Sequence, residues 1–478
     1  MKPYRQIFVA ITLVCALWTV QTASAQIISQ QDQPLKSADG STHIVTTGRI
    51  RVPDLHAEAA TLSNTIELAF IRVRQSDRPG LSAHIVLAGG PGDSGVSLVC
   101  NMVLQGGAGL LDLFDGDIIG IDQRGTGASL PNLSVQTSYQ LPLDQPGSLA
   151  LWLPLMEQTS SKVAAEFRSR GIRLEAYNTL ESAGDVNDVR LALGYEKLSL
   201  WGRSYGTHLA LAVLKQYPEK IDRMILVGPE GPDQTWKLPS QADAVIQRIS
   251  EQSNEPDLLR RMQSVIDRLK KTPVTVNVVD PATQRSIAIS IGAFDVQWLT
   301  VQALDNPRTI ATLPAAYRKM EKGDFQSIAQ LALMFRKRLG VESAMKHMMD
   351  GSSGASTHRR QQIESQAATA TLGNILNFPG MYLSKAWGAQ DLGDFFREPV
   401  SSKVPTLILA GELDPRTPVA NGQQIANTLP NARVIVVKNA SHQFDVFGSA
   451  DIRSLLARFL RNEPITEESI TLQPIVFQ

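Results

Sequence analysis

Hydrophobic and polar positions along the chain fall into two recurring arrangements. "GRIRVP" and "TIELAFIRVR" alternate apolar and polar residues with a period of two, as half-buried strands do, and "RQSDRPG" reads as the turn that closes them. Farther on, short apolar runs lead straight into glycine-rich segments. "HIVLA" (84–88) enters "GGPGDSG", "GDIIGID" (116–122) enters "QRGTGAS", and "KLSLWG" enters "RSYG". Helical patterns lie between them, "TLESAGDVNDVRLALG" and "THLALAVLKQYPEK", followed by another strand, "RMILVG". Strands alternating with helices, each strand ending in a glycine-rich loop, predict a mostly parallel sheet with its site at the strands' carboxyl ends.

The alternation stops at Pro229. From there to about Ser402 the chain reads as helices, such as "SQADAVIQRISEQ", "DLLRRMQSVIDRLKK" and "SIAQLALMFRKRLG", around one strand pair, "TVNVVD" and "RSIAISIG". "DGSSGAST" reads as a flexible loop by composition. The alternation returns with "VPTLILAGELDP", "ARVIVVKNASHQ" and the helix "DIRSLLARFLR". The expected organisation is an α/β core over 26–228 and 403–478, interrupted by a large, mainly helical cap over 229–402 inserted between two late strands. A polar segment precedes the first strand.

Composition narrows the picture. The 478 residues carry 46 Lys and Arg against 46 Asp and Glu, so zero net charge argues against nucleic acid or an anionic membrane as the main partner. Lys2 and Arg5 precede the apolar run "IFVAITLVCALWTV", and "ASA" offers small residues for cleavage after Ala25, so 1–25 reads as an export signal and the mature chain as periplasmic or secreted. Cleavage leaves Cys100 alone, without a disulfide and most simply as a buried small residue. No metal or cofactor is called for: there is no H-E-x-x-H or Cys/His cluster, and "GGPGDSG" lacks the Lys-Ser/Thr pair of a phosphate-binding loop.

The candidate chemistry starts from "GRSYG", Gly202 to Gly206, between a strand and a helix. Ser204 there is either a nucleophile on a strained turn or a helix N-cap. A serine hydroxyl is a weak nucleophile that needs a base, itself oriented by a carboxylate. In an α/β-hydrolase the acid and the base follow the serine in chain order, each just past a late strand. Asp414 in "TLILAGELDPRTP" and His442 in "RVIVVKNASHQF" occupy those places. Glu412 is the substitute acid, whereas Asp445 falls on the turn after His442. Any of the seven histidines is structural by default, and His442 stands out by position. The backbone N–H of Tyr205 and of Gly90, with Gly89 next, are the expected donors to a developing oxyanion.

"GGPGDSG", "GIDQRGTGAS", "GRSYG" and "GELDPRTP" together resemble the prolyl iminopeptidase and tripeptidyl aminopeptidase branch of the α/β-hydrolases, over most of the mature chain. The tripeptidyl type is the more similar, through the large cap and the C-terminal "LDPRTPVANGQQIANTLPNARVIVV". Trp387 matches, while Ala88, Gln443 and the lack of cap cysteines depart from it. The resemblance implies a serine aminopeptidase acting on peptides with a free N-terminus. Asp122 to Gly125 would shape the site wall, and Arg124 would form a structural ion pair. Such an enzyme needs an anion for the substrate's α-ammonium, and Glu230 in "VGPEGPD", just past a strand's carboxyl end, is the candidate. The alternatives are a carboxylesterase for small apolar esters and a non-catalytic binding protein on the same scaffold.

Overall fold

The computed structural model describes residues 25–36, 42–58, 64–75, 82–106, 111, 113, 114 and 116–478. The expected export segment, apart from Ala25, and most of the turn "RQSDRPG" lie outside the described residues.

Fourteen strands are found among the described residues. They are β1 Gln26–Lys36, β2 Thr42–Pro53, β3 Thr65–Gln75, β4 Ala83–Leu87, β5 Asp117–Ile121, β6 Ser134–Ser138, β7 Leu198–Arg203, β8 Ile221–Val227, β9 Val274–Val279, β10 Ser286–Ile291, β11 Gly340–Ser343, β12 Thr406–Gly411, β13 Ala432–Lys438 and β14 Ser469–Thr471. Ten of them form one sheet in the order β1-β2-β3-β5-β4-β7-β8-β12-β13-β14. β1, β2, β3 and β5 pair antiparallel, and from β5 onward every neighbour is parallel. All residues of β4, β5 and β12 are buried, which is why they read as unbroken apolar runs rather than alternating ones.

Helices cover both faces. One carries the helix Tyr205–Gln216, with Leu209 and Val213 in the larger core. The other carries Gly95–Gly106 and Ala450–Leu460, which pack Val99, Ile452, Leu455 and Leu456 against Trp201, Ile225 and Leu407. The polar segment "QIISQQDQPLK" departs from expectation by forming β1. As an edge strand it needs only one paired side, so its sequence lacks a buried stripe.

Between β8 and β12 the chain forms a helical roof with the β9–β10 hairpin at one side. This roof also recruits residues from before the serine turn. β6 pairs with β11, and Arg168, in the helix Leu149–Ser169, donates to the Trp387 carbonyl at 2.6 Å. Trp152 of that helix is fully buried against Phe294, Trp298 and Phe378. The expected loop "DGSSGAST" is corrected: Asp350–Ser353 complete the helix Ala344–Ser353, with Ser352 and Ser353 buried. Gly354 ends it at φ +58°, so the small residues mark a packed helix end rather than a flexible stretch.

Candidate active site

Ser204 follows the last residue of β7 and precedes the helix Tyr205–Gln216, at φ +53° and ψ −124°. A non-glycine residue rarely holds a positive φ, which costs on the order of 1–3 kcal/mol unless its surroundings enforce it. They do so here. A Cβ on Gly202 would lie 2.4 Å from the Gly206 carbonyl oxygen, and one on Gly206 would lie 2.0 Å from that of Leu87 in β4. The turn can therefore press between strand and helix only with glycine at both flanks. The Ser204 hydroxyl caps nothing; it lies 3.0 Å from His442 Nε2.

His442 follows β13, and its Nδ1 is 2.8 Å from Asp414 Oδ2. Asp414, 1% exposed, follows β12. Its Oδ1 accepts the backbone N–H groups of Arg416 at 2.8 Å and Thr417 at 2.9 Å, and its Oδ2 accepts the Thr417 hydroxyl at 2.5 Å. Burial alone would raise this carboxyl, but the charge of His442 and the hydrogen bonds from His442 and Thr417 outweigh it and hold it down at about 2. Glu412 is committed elsewhere, accepting from the Asn439 backbone and from Gln252. Asp445 accepts the backbone N–H groups of Phe447 and Gly448, on the turn where it was expected.

The roof braces both loops. Arg416 pairs with Asp305 through contacts of 2.6 and 2.9 Å. The Gln443 N–H donates to the Asp305 carbonyl at 2.8 Å, and Ser441 donates to that of Leu304. Thr417 and Asp305 escaped sequence reading. The spacing of Thr417, three residues past Asp414, was the available signal for the first; nothing in the sequence marks the second.

The "GGPGDSG" loop lies against Ser204. A Cβ on Gly89 would sit 3.2 Å from Ser204 Cβ, and Gly90 holds φ +107°. Asp122 fixes this loop: its Oδ1 accepts from Ser94 Oγ at 2.5 Å and Val96 N at 3.1 Å, while its Oδ2 accepts from Ala128 N at 2.8 Å. The Tyr205 amide, in the first turn of its helix, has no partner within the helix. Arg124 is fully buried, forked onto Asp185 at 2.8 and 2.6 Å, with the Asp54 and Ala176 carbonyls taking another guanidinium nitrogen. It acts as an internal strut. Cys100 is half-buried on the helix Gly95–Gly106, where burial pushes its thiol up, away from a reactive thiolate.

Glu230 is buried two residues beyond Gly228, whose backbone runs beside the His442 ring. One carboxylate oxygen of Glu230 accepts Lys237 Nζ at 2.5 Å. Above it crosses the helix Ala344–Ser353. The Cβ of Lys346 lies 4.0 Å from where a Gly92 Cβ would be, Met349 Sδ accepts from the Tyr205 hydroxyl at 3.3 Å, and Ser353 Oγ is 3.0 Å from His208 Nε2. Asp350, one turn past Lys346, is half-buried and feels the charge of Lys346 first, then those of Glu230 and Lys237. Its carboxyl is pushed up to about 7, chiefly by burial. Sequence reading missed Asp350 because "DGSSGAST" looked like a loop.

A model of the alpha/beta hydrolase fold matches residues 85–444. The chain is 25% identical over 254 residues to a putative hydrolase, YuaR, of Escherichia coli, covering 50% of this chain and 48% of that one. It is 30% identical over 207 residues to a tripeptidyl aminopeptidase of Streptomyces coelicolor, covering 40% and 37%. Against the serine protease Hip1 of Mycobacterium tuberculosis it is 26% identical over 163 residues, covering 32% and 30%. The chain thus spans about half or less of the length of the curated relatives it matches. With the family model covering most of its length and its sheet built to the same plan, this chain belongs to the alpha/beta hydrolase fold family.

Proposed function

We propose that the chain is an exported serine hydrolase that removes residues or short peptides from free N-termini. Ser204 attacks the carbonyl, and His442 takes its proton through Nε2. Asp414 holds the resulting imidazolium at Nδ1, while the Gly90 and Tyr205 amides receive the oxyanion. His442 then returns the proton to the leaving amine, and water releases the acyl-enzyme by the same relay. The observation that carries the hydrolase reading is the continuous chain Ser204–His442–Asp414, at 3.0 and 2.8 Å.

The aminopeptidase reading is supported by two carboxylates, Glu230, two residues beyond the Gly228 that lies beside His442, and Asp350, on the roof helix within reach of the Glu230 charge. Lys237 already neutralises Glu230, so Asp350 supplies the negative charge for the substrate's α-ammonium, with Glu230 behind it. The names of the Streptomyces and Mycobacterium relatives agree with peptide substrates. One observation favours a second reading: if the Lys237–Glu230 pair and a neutral Asp350 leave the pocket uncharged, the same relay suits a carboxylesterase for small apolar esters.

The deciding experiment offers the mature protein free and N-acetylated aminoacyl and tripeptidyl chromogenic amides beside p-nitrophenyl esters. Cleavage of free amides only, lost in Ser204→Ala, is the expected result. Activity confined to esters overturns the aminopeptidase reading and leaves the relay standing.

A further inference from the structure

A cavity lies behind the serine turn, on the sheet face opposite the helix Tyr205–Gln216. Side chains alternate along a strand, so Trp201 and Arg203 of β7 point to the face carrying the helix Gly95–Gly106, while Leu200 faces the other core. Here they line a cavity of about 640 Å³ together with Val227, Met102, Phe444 and Phe447. That volume lies within the range of small-molecule sites, roughly 300–1,000 Å³. Ser204, His442 and Asp414 do not line it.

The walls are mostly apolar, with Asn101, Arg203, Asp445 and Arg453 as their polar members. Arg203 enters from the end of β7, and among the described residues its guanidinium forms no hydrogen bond or ion pair; Asp93, Asp445 and Asp414 act on it only at longer range. Burial lowers its pKa, the sign of a cation incompletely compensated. A guanidinium in an apolar wall is costly unless paired, and its planar fork matches a carboxylate. Asn101, Asp445 and Arg453 complete the polar lining, and among the described residues Arg203 is the lining cation without a direct partner.

We propose that this cavity binds a small amphiphilic carboxylate, at a site separate from the Ser204 cleft. Its apolar body lies against Trp201, Phe444 and Phe447, and its carboxylate pairs with Arg203. The wall Phe444–Gly448 begins two residues after His442, so the occupant also packs against the loop that carries the base. The proposal is independent of which bond the Ser204 site cleaves.

The test uses the full mature chain carrying Ser204→Ala, titrated with octanoate and, separately, with octanol by calorimetry and tryptophan fluorescence. Saturable one-to-one octanoate binding is expected, with octanol roughly tenfold weaker or more, the loss typical of removing a hydrogen bond to a charged group. The fluorescence change should vanish in Trp201→Phe, and Arg203→Met should bring octanoate down to the level of octanol. The octanoate–octanol comparison needs no substitution at Arg203, so poor folding of that variant leaves the test intact. Absence of saturable octanoate binding, equal affinity for octanol, or a fluorescence change that persists in Trp201→Phe overturns the proposal.

Discussion

Replacing Asp414 by Asn removes one charge at a position where the surroundings dictate how the new side chain must lie. Two backbone N–H groups, Arg416 at 2.8 Å and Thr417 at 2.9 Å, converge on Oδ1. The asparagine oxygen must stay there, which turns its NH₂ toward His442 Nδ1, 2.8 Å away. A donor then faces a donor unless the imidazole moves its proton to Nε2. That proton would sit in the 3.0 Å gap to Ser204 Oγ, where His442 is required to accept. The wrong tautomer is thereby stabilised and the charge opposite the imidazolium is lost together. Such a change in a serine–histidine–aspartate relay costs ~10⁴ in kcat, about 5.5 kcal/mol of transition-state stabilisation. Steady-state kcat with a p-nitrophenyl ester measures this whichever natural substrate is correct, and near-ultraviolet circular dichroism checks the fold. Glu412→Gln is the companion and leaves kcat unchanged, because Glu412 is bound to Asn439 and Gln252. A loss below about tenfold in Asp414→Asn, or a large loss in Glu412→Gln, would show that Asp414 is not the orienting acid.

Three further outcomes follow from the same geometry. Asp350, pushed up to about 7 by burial, is ionised above that pH and neutral below it. For free-amine substrates the fall in kcat/KM from about pH 8 to about pH 6 should therefore exceed the fall for ester substrates, which share only the His442 base, by roughly tenfold; Asp350→Asn should lose this excess, and an unchanged excess refutes the assignment. In Gly89→Ala the new methyl meets the Arg203 carbonyl oxygen at 3.0 Å and Ser204 Cβ at 3.2 Å. Displacing the oxyanion loop by a few tenths of an ångström should lower kcat by ~10² with little change in Tm, measured side by side. His56 provides a stability test. Burial opposes its protonation, but the ion pairs with Asp188 at 3.3 Å and Glu181 at 2.5 Å and the charge of Asp185 win, pushing it up from 6.5 to about 9. A pKa raised on folding contributes stability that is whole below about 6.5 and lost as pH rises through about 9. The loss is up to ~3 kcal/mol, and urea unfolding should show it in the native protein and not in His56→Asn.

Much of the fold was legible because its signals are local. β4, β5, β7 and β12 are buried on both faces, so each stands out as an apolar run. The glycines around Ser204 are demanded by contacts only a few residues or one strand away. The places of Asp414 and His442 were readable for another reason: the α/β-hydrolase pattern puts an acid and a histidine after the serine, each just past a late strand, and the sheet brings both residues to Ser204. What stayed hidden depends on contacts between remote segments. β1 is a polar edge strand paired, among the described residues, with β2 alone. The serines of "DGSSGAST" look solvent-bound until Ser353 is seen against Thr179 and His208, more than a hundred residues earlier. Asp350 acquires its chemistry from the same packing. The carboxylate of Glu230 was in view, but its neutralisation by Lys237 depends on a turn that seven residues of sequence do not announce.

The central claim is that Ser204 is the nucleophile of a relay with His442 and Asp414. The most direct measurement is labelling with a fluorophosphonate, followed by peptide mass spectrometry. The predicted result is one adduct per chain, on the peptide carrying Ser204, absent in Ser204→Ala and strongly slowed in Asp414→Asn. An adduct on another residue, or labelling that persists in Ser204→Ala, would contradict it.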